Sequence, residues 1–418
     1  MKTLATYTLG CKVNAYDTEA VAEMFTECGY QIVDFDSSAD VYIINTCTVT
    51  NLSDKKSRQI IRRCKKHNPS GIVVVMGCYA QIAEEEVKKI EGVNIVIGTK
   101  DRRVIVDIVE GCEMDKPALS YVTKLKNDEA FEYFSVSQFE GKTRAFLKVQ
   151  DGCDRFCTYC IIPYARGAVR SRQADDVIKE ATRLAKNGFK EIVLAGIHVA
   201  SYGKDLVSID LLDLIQLIHE VDGIERIRLS SIDPAAVDSR FVNTLSGLPK
   251  ICDHFHLSLQ SGCDKTLKAM NRRYTREQYT KAVSLLRNYF KDVAITTDII
   301  SGFPGETDDD FLESYEFAEK VGFSKIHGFQ YSPREGTKAA GYENQVPNII
   351  KEKRNRKITE LSDKLACQFR NKFSGRKMDI LYETVVDGNT YVGYTTNYIK
   401  AETASDTDLV NKIKSSVL

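Results

Sequence analysis

The chain carries no excess of charge: 58 lysines and arginines balance 58 aspartates and glutamates. That excludes a whole-molecule field drawing it to nucleic acid, so any such attraction must be local. It has no apolar run of about 18 residues, the length a spanning helix needs, and no membrane partner is expected. Its first residues, Met1 to Tyr7, lack the apolar core and cleavage site of a secretory signal and read as the start of a strand. Histidine is scarce, six in 418 residues. Cysteine is not: there are twelve. Without a secretion signal, that many argue against disulfides and for thiolate chemistry in a reducing compartment, so the expected location is cytoplasmic. The length suits two or three domains.

Three of the cysteines stand in one loop, Cys153-Asp154-Arg155-Phe156-Cys157-Thr158-Tyr159-Cys160, directly after the strand-like run Ala145–Val149. Three thiolates are one too few for a closed structural zinc site, and His67 and His198 are both far away in sequence. An iron–sulfur cubane fits three thiolates better, because one iron is left free to bind something else. A loop of buried cysteines or a partial zinc knuckle is the competing reading.

Residues 1–112 repeat a strand-then-helix theme. Apolar runs end at Gly10-Cys11, Asn45-Thr46-Cys47 and Gly77-Cys78, with helices expected at Asp17–Cys28 and at Ser53–Lys66, the latter capped by Ser53. In a doubly wound parallel sheet these strand ends share one rim, where ligands bind. Cys11, Cys47 and Cys78 would then converge as a second three-thiolate site, although position alone leaves ordinary burial equally open. Cys28, Cys64, Cys112, Cys252, Cys263 and Cys367 lack that position and read as plain buried cysteines. The 53–66 helix carries seven basic residues against one acid, Asp54. A solvated face and a surface for RNA phosphate are both consistent with it.

Residues 113–141 lack periodicity and read as a linker. From 142 to 370 strands and helices alternate again, with strands at Ala145–Val149, Glu191–Leu194, Arg226–Leu229, His254–Leu259, Val293–Ile299 and Lys325–Gln330. Six such units predict an incomplete (β/α)6 barrel, with the cysteine loop at its working rim. Gly188 and Gly223 are expected to close two of the helices. Lys351–Lys377 holds ten basic and three acidic residues, its first half helical. Residues 371–418 turn to short alternating strands broken by Asp387-Gly388-Asn389, which predicts a small β-barrel. Its last strand is expected to be missing or irregular. The fold class is therefore α/β, with three domains.

The loop spacing C-x3-C-x2-C with Tyr159 before its last cysteine resembles the motif of the radical S-adenosylmethionine (SAM) superfamily. The stretches Gly10-Cys11-Lys12-Val13-Asn14, Asn45-Thr46-Cys47-Thr48-Val49-Thr50 and Gly77-Cys78-Tyr79 resemble the three cysteine motifs of its methylthiotransferase family. The resemblance implies two 4Fe-4S clusters. One, on Cys153, Cys157 and Cys160, cleaves SAM to a radical; an auxiliary one, on Cys11, Cys47 and Cys78, carries the sulfur to be inserted. It also implies an RNA-binding TRAM-like module at the carboxyl end, and SAM contacts at strand ends, with Tyr159, Gly196, Ser231, Gln260 and Asp298 the expected residues. Arg166, Arg170 and Arg172 are candidates for substrate-phosphate binding or interdomain ion pairs, and Arg166, Arg170 and Arg272 for a substrate carboxylate. Lys12-Val13-Asn14, Thr48-Val49-Thr50 and Gly393–Ile399 are similar to the branch acting on threonylcarbamoyladenosine in tRNA. The reaction implied is methylthiolation at C2 of that base, at position 37, beside the anticodon. A sulfur donor and an electron donor such as flavodoxin or ferredoxin would be partners. The alternatives are isopentenyladenosine tRNA or a ribosomal protein as substrate, a plain radical methylase, and a non-enzymatic iron–sulfur RNA-binding protein.

Overall fold

Six parallel strands form the amino-terminal sheet. In the computed structural model, which describes residues 1–418 apart from 114, 115, 127, 128 and 140, the elements run β1 (Thr3–Thr8), α1 (Lys12–Glu27), β2 (Gln31–Val33), β3 (Val41–Thr46), α2 (Asn51–His67), β4 (Ile72–Gly77), α3 (Cys78–Ile82), α4 (Glu84–Lys88), β5 (Ile95–Ile97), α5 (Ile105–Glu110) and β6 (Leu119–Tyr121). The sheet order is β2-β1-β3-β4-β5-β6. Every residue of β3 is buried, because helices cover both faces of a doubly wound sheet. Successive residues serve opposite cores: Tyr42 and Ile44 pack on one face, Val41 and Ile43 on the other. The order reverses between β1 and β3, the switch point at which such sheets leave a crevice outside the strand ends.

Two helix starts differ from expectation. Helix α1 begins at Lys12, not Asp17, with Cys11 in the capping position and no side-chain cap. The Asn14 amide instead fastens the first turn by donating to the carbonyls of Leu9 and Thr46. Helix α2 is capped by Thr50, whose hydroxyl accepts from the Ser53 amide. The expected cap, Ser53, is one turn inside, its own hydroxyl paired with that of Thr50. The stretch expected to be a linker does more than connect. It contributes β6, paired parallel to β5, and it sends Phe134, Val136 and Phe139 into the barrel core.

The central region runs β7 (Arg144–Lys148), β8 (Gln150–Asp151), α6 (Ile162–Arg166), β9 (Arg170–Ser171), α7 (Ala174–Lys186), β10 (Glu191–Ala195), α8 (Leu211–His219), β11 (Arg226–Leu229), α9 (Ser239–Ser246), β12 (His254–His256), α10 (Asp264–Ala269), α11 (Arg276–Tyr289), β13 (Ala294–Ser301), α12 (Asp308–Val321), β14 (Lys325–Gln330) and α13 (Asn348–Asn371). The main strands form two parallel trios, β7-β10-β11 and β12-β13-β14, joined by bridges at Ile227–Ile251 and Ile232–Leu257. The result is a six-stranded arc, open between β7 and β14. Tyr16 and Ala20 of α1 join its core, so the first helix belongs to both domains.

The last strands, β15 (Lys377–Val386), β16 (Thr390–Thr395), β17 (Lys400–Ala404) and β18 (Ile413–Val417), make an antiparallel half-barrel in the order β17-β16-β15-β18. The last strand is present and regular, contrary to the sequence expectation, and pairs with β15 over five residues. Asp387 and Gly388 turn the β15–β16 hairpin with φ of 49° and 79°, in a loop closed by the Val386–Thr390 pair. The module packs against the amino-terminal end of the barrel. Arg226 donates to the carbonyls of Tyr394 and Asp379, and Arg228 to that of Thr396. Tyr398 stacks on His254, 4.9 Å between centroids, with Arg144 and Arg228 over its ring. Among the described residues no helix is long and apolar enough to cross a membrane.

Candidate active site

Cys11, Cys47 and Cys78 follow β1, β3 and β4, at the switch-point rim. Gly10 and Gly77 hold positive φ there, and both leave no room for a side chain. A Cβ on Gly10 would lie 2.8 Å from the Cβ of Cys47, and one on Gly77 2.3 Å from the side-chain oxygen of Asn45. The two glycines thus let the strand ends crowd together. Burial raises the Cys47 thiol and pushes that of Cys78 up to about 11, in the latter case against the pull of Arg166.

Cys153, Cys157 and Cys160 sit beyond β8. The loop is pinned from three directions: the Cys153 amide donates to the Gly167 carbonyl, the Thr158 amide to that of Met270, and the Ala339 amide to that of Thr158. Burial, with Cys157 alongside, pushes the Cys160 thiol up to about 12. Each triad has one sulfur held by a guanidinium. Arg166 Nε donates to Cys78 Sγ and Arg272 Nη1 to Cys157 Sγ, both at 3.3 Å. Such N–H donors favour the thiolate and tune the potential of an attached cluster.

Arg166 also ties the triads' domains together. It is wholly buried, and its Nη1 lies 3.0 Å from Asp17 and 3.1 Å from Asp151, while Nη2 bonds Asn14. Asp17 further pairs with Arg102 at 2.6 Å and with Lys148 at 2.8 Å. Arg172 is equally buried, against Glu180, and Arg170 is buried beside Asp151 and Glu129. None of the three lines the lumen cavity. Of the two readings weighed for them, the ion-pair one is what the fold contains, because each guanidinium finds a buried carboxylate. As a substrate-carboxylate candidate Arg166 is corrected for that reason, whereas Arg170, 4.0 Å from its carboxylates, keeps one nitrogen without a hydrogen-bond partner among the described residues.

The expected SAM-contacting residues spread over the strand ends. Ser231 and Asp298 line a lumen cavity of about 930 Å³, where Asp298 faces His256 at 3.3 Å. Gln260, at φ 70°, bridges to Ile299 beyond β12. Gly196 packs against Gln150, whose oxygen would lie 2.9 Å from a Cβ there. Tyr159 packs against Met270, Phe303, Tyr331 and Ala339. Sequence reasoning missed that Lys12, beside Cys11, reaches the same cavity as Asp298. A lysine one residue past a rim cysteine was the available signal. Of the six cysteines read as buried, Cys64, Cys252 and Cys263 are, whereas Cys28 and Cys367 are exposed, lying at or near helix ends rather than in a core.

The donor sets discriminate between metals. Sulfurs sharing one tetrahedral zinc lie ~3.8 Å apart, given a Zn–S bond of ~2.3 Å. Among the described residues neither triad brings all three sulfurs within 4.8 Å of one another. Three thiolates with no fourth protein ligand fit a cubane that keeps one iron open. Buried thiols this hard to ionise also need a bound cation to deprotonate them.

Residues 147–318 match the Radical SAM superfamily and residues 3–98 an uncharacterized protein family, UPF0004. The chain is 42% identical to the threonylcarbamoyladenosine tRNA methylthiotransferase MtaB of Bacillus subtilis, over 99% of this chain and 93% of that one. It is 35% identical to the tRNA-2-methylthio-N(6)-dimethylallyladenosine synthase of Sulfurihydrogenibium, over 93% and 90%. Among solved structures, the radical SAM methyltransferase TsrM of Kitasatospora setae, with cobalamin and a 4Fe-4S cluster bound, aligns with a TM-score of 0.57. It covers 80% of this chain and 77% of its own at 15% identity, a likeness of fold. The chain belongs to the radical SAM methylthiotransferase family, with 4Fe-4S clusters and SAM as its cofactors.

Proposed function

We propose that this enzyme methylthiolates C2 of N6-threonylcarbamoyladenosine at position 37 of tRNA, beside the anticodon, in the cytoplasm. The observation that carries the reading is the near full-length match to a threonylcarbamoyladenosine tRNA methylthiotransferase. Its cofactors, when bound, supply the radical that breaks an aryl C–H bond and the methylated sulfur that replaces the hydrogen, chemistry beyond any side chain. Cys153, Cys157 and Cys160 hold one cluster; Cys11, Cys47 and Cys78 hold the other. Arg272 and Arg166 stabilise one thiolate of each. Tyr159, Gly196, Ser231, Gln260 and Asp298 border SAM.

The lumen receives the base. Its walls come from all three domains, so docking of the domains shapes the pocket. Residues 1–121, β6 included, form the auxiliary-cluster domain, 142–370 the barrel, and 371–418 the TRAM-like RNA-binding module. Lys55, Lys56, Arg62 and Lys66 of α2 are exposed and without ion-pair partners among the described residues; they face the tRNA phosphates. A flavodoxin- or ferredoxin-like donor supplies electrons, and an external donor supplies sulfur.

The 35% match to a dimethylallyladenosine synthase defines the rival substrate. Reconstituted enzyme with SAM and a reductant is given equal amounts of tRNA bearing the threonylcarbamoyl or the isopentenyl modification, and nucleosides are read by mass spectrometry. The threonylcarbamoyl form should react by a wide margin, since a pocket built for polar groups rejects an apolar analogue. Equal reaction of the isopentenyl form overturns the substrate and leaves the chemistry standing.

A further inference from the structure

The lumen cavity holds a cation that the fold does not use. Arg144 and Arg228 both line it, but each is spent on a carboxylate, Glu383 at 2.7 Å and Glu191 at 2.6 Å. Lys12 lines the same cavity. Lys12 is exposed, and among the described residues its side chain has neither an ion pair nor a hydrogen bond. Desolvation in the cavity, with Arg144 and Arg228 as like charges, works against its ammonium, while Cys11 and Asp298 favour it. Glu383 and Glu191 are already committed to Arg144 and Arg228, so neither carboxylate is left to pair with Lys12. An anion entering the lumen is attracted to that point.

Lys12 is also one residue from Cys11, on the first turn of α1. In adenine, C2 and C6 flank N1, so a substituent on N6 and the hydrogen on C2 share one edge of the purine. A base that presents C2 to the Cys11 triad therefore presents its N6 group to the side chain beside that triad. A backbone phosphate lies on the far side of the ribose and does not reach the same point.

We propose that Lys12 is a specificity-determining residue that binds the free carboxylate of an N6-linked amino acid on the substrate adenosine. The inference rests on the substrate reading above and adds the residue that reads the group. It accounts for discrimination against an apolar N6 group by one unpaired ammonium, which only an anion satisfies.

The test uses the reconstituted holoenzyme and two anticodon stem-loop oligonucleotides, one with the threonylcarbamoyl group as the free acid and one as its primary amide. Both kcat/KM for methylthiolation and Kd by fluorescence anisotropy are measured, with iron content determined for every variant. Wild type should prefer the acid by ~10- to 100-fold, the range of a charge-assisted hydrogen bond. Lys12→Gln should react with acid and amide alike, and Lys12→Arg should keep the preference. Should Lys12→Gln lose iron, the wild-type ratio and Lys12→Arg still decide. Equal use of acid and amide by wild type overturns the inference and leaves the substrate reading intact. So does an acid preference that survives Lys12→Gln and vanishes in Arg370→Gln, Arg370 being a second lining cation without an ion pair among the described residues. A wild type that ignores both oligonucleotides and accepts the isopentenyl form overturns the reading itself, and this inference with it.

Discussion

Replacing Arg166 by Met keeps most of its volume and removes its charge, and the effect can be worked out from the partners it leaves behind. Breaking a buried, hydrogen-bonded charge group by deleting one member costs ~3–5 kcal/mol. Here the stranded carboxylates keep partners: Asp17 retains Arg102 and Lys148, and Asp151 retains Lys148 at 2.7 Å. The low end applies, about 3 kcal/mol, or ~150-fold in the equilibrium between docked and undocked amino-terminal domain. Hydrogen-exchange mass spectrometry resolves that opening. Amide protection should fall about 100-fold in α3, α6 and the start of α1, while α12, which shares no ion pair with the network, serves as the unchanged reference. A fall of less than ~5-fold would refute the reasoning and show that the remaining ion pairs carry the docking alone. The same network sets the acid limit. Burial by itself would push the Asp17 carboxyl up, but Arg102, Lys148 and Arg166 outweigh it and hold it well below the usual carboxylate range, as Arg166, Lys148 and Arg170 do for Asp151. A depressed carboxyl contributes stability that is present above the unfolded pKa of ~4 and is lost as pH falls through the folded value. Docking in wild type should therefore survive pH 4 and fail only in stronger acid.

Three further outcomes test the proposed sites. Reconstituted protein should bind about eight irons if both clusters are four-iron, and Ala replacement of either cysteine triad should leave about half. Loss of Cys11, Cys47 and Cys78 should spare reductive SAM cleavage and abolish sulfur insertion; full iron in either triple variant contradicts the assignment. Reversing Lys55, Lys56, Arg62 and Lys66 to Glu should weaken tRNA binding and flatten the slope of log K against log salt by up to ~3–4 units, about one for each phosphate no longer neutralised. An unchanged slope, measured by filter binding from low to moderate salt, makes that helix face a merely solvated one.

Much of this molecule is legible in its sequence because cysteines at strand ends are rare and apolar runs buried on both faces are unambiguous. The six barrel strands and the three rim cysteines of the first sheet follow from those patterns. Helix starts are less legible. Nothing in Lys12–Tyr16 announces a first turn, since its fastening is Asn14 reaching back to carbonyls of two other segments. β6 escaped because three residues, Leu119–Tyr121, suffice to extend a sheet whose edge is already formed. The arginines after the cysteine loop were ambiguous for a deeper reason. Whether a guanidinium meets a phosphate or an aspartate depends on partners such as Asp17, 149 residues away from Arg166, and local pattern carries no information about them. The basic tail shows the same effect: Arg354 is spent on Glu306 and Asp308, and Arg376 on Asp292, leaving less free charge for RNA than its composition implies.

The module at the amino-terminal end of the barrel has a consequence for what the enzyme accepts. Tyr398 and the last module cover part of that end, and the lumen cavity also reaches Cys11, at the side where β7 and β14 do not pair. A nucleotide can take that path only if it leaves its stack and swings out from its neighbours. In a duplex, extrusion costs a few kcal/mol of lost pairing and stacking; in a hairpin loop it costs far less. On the substrate reading proposed above, an adenosine in a loop should therefore react and the same adenosine in a stem should not.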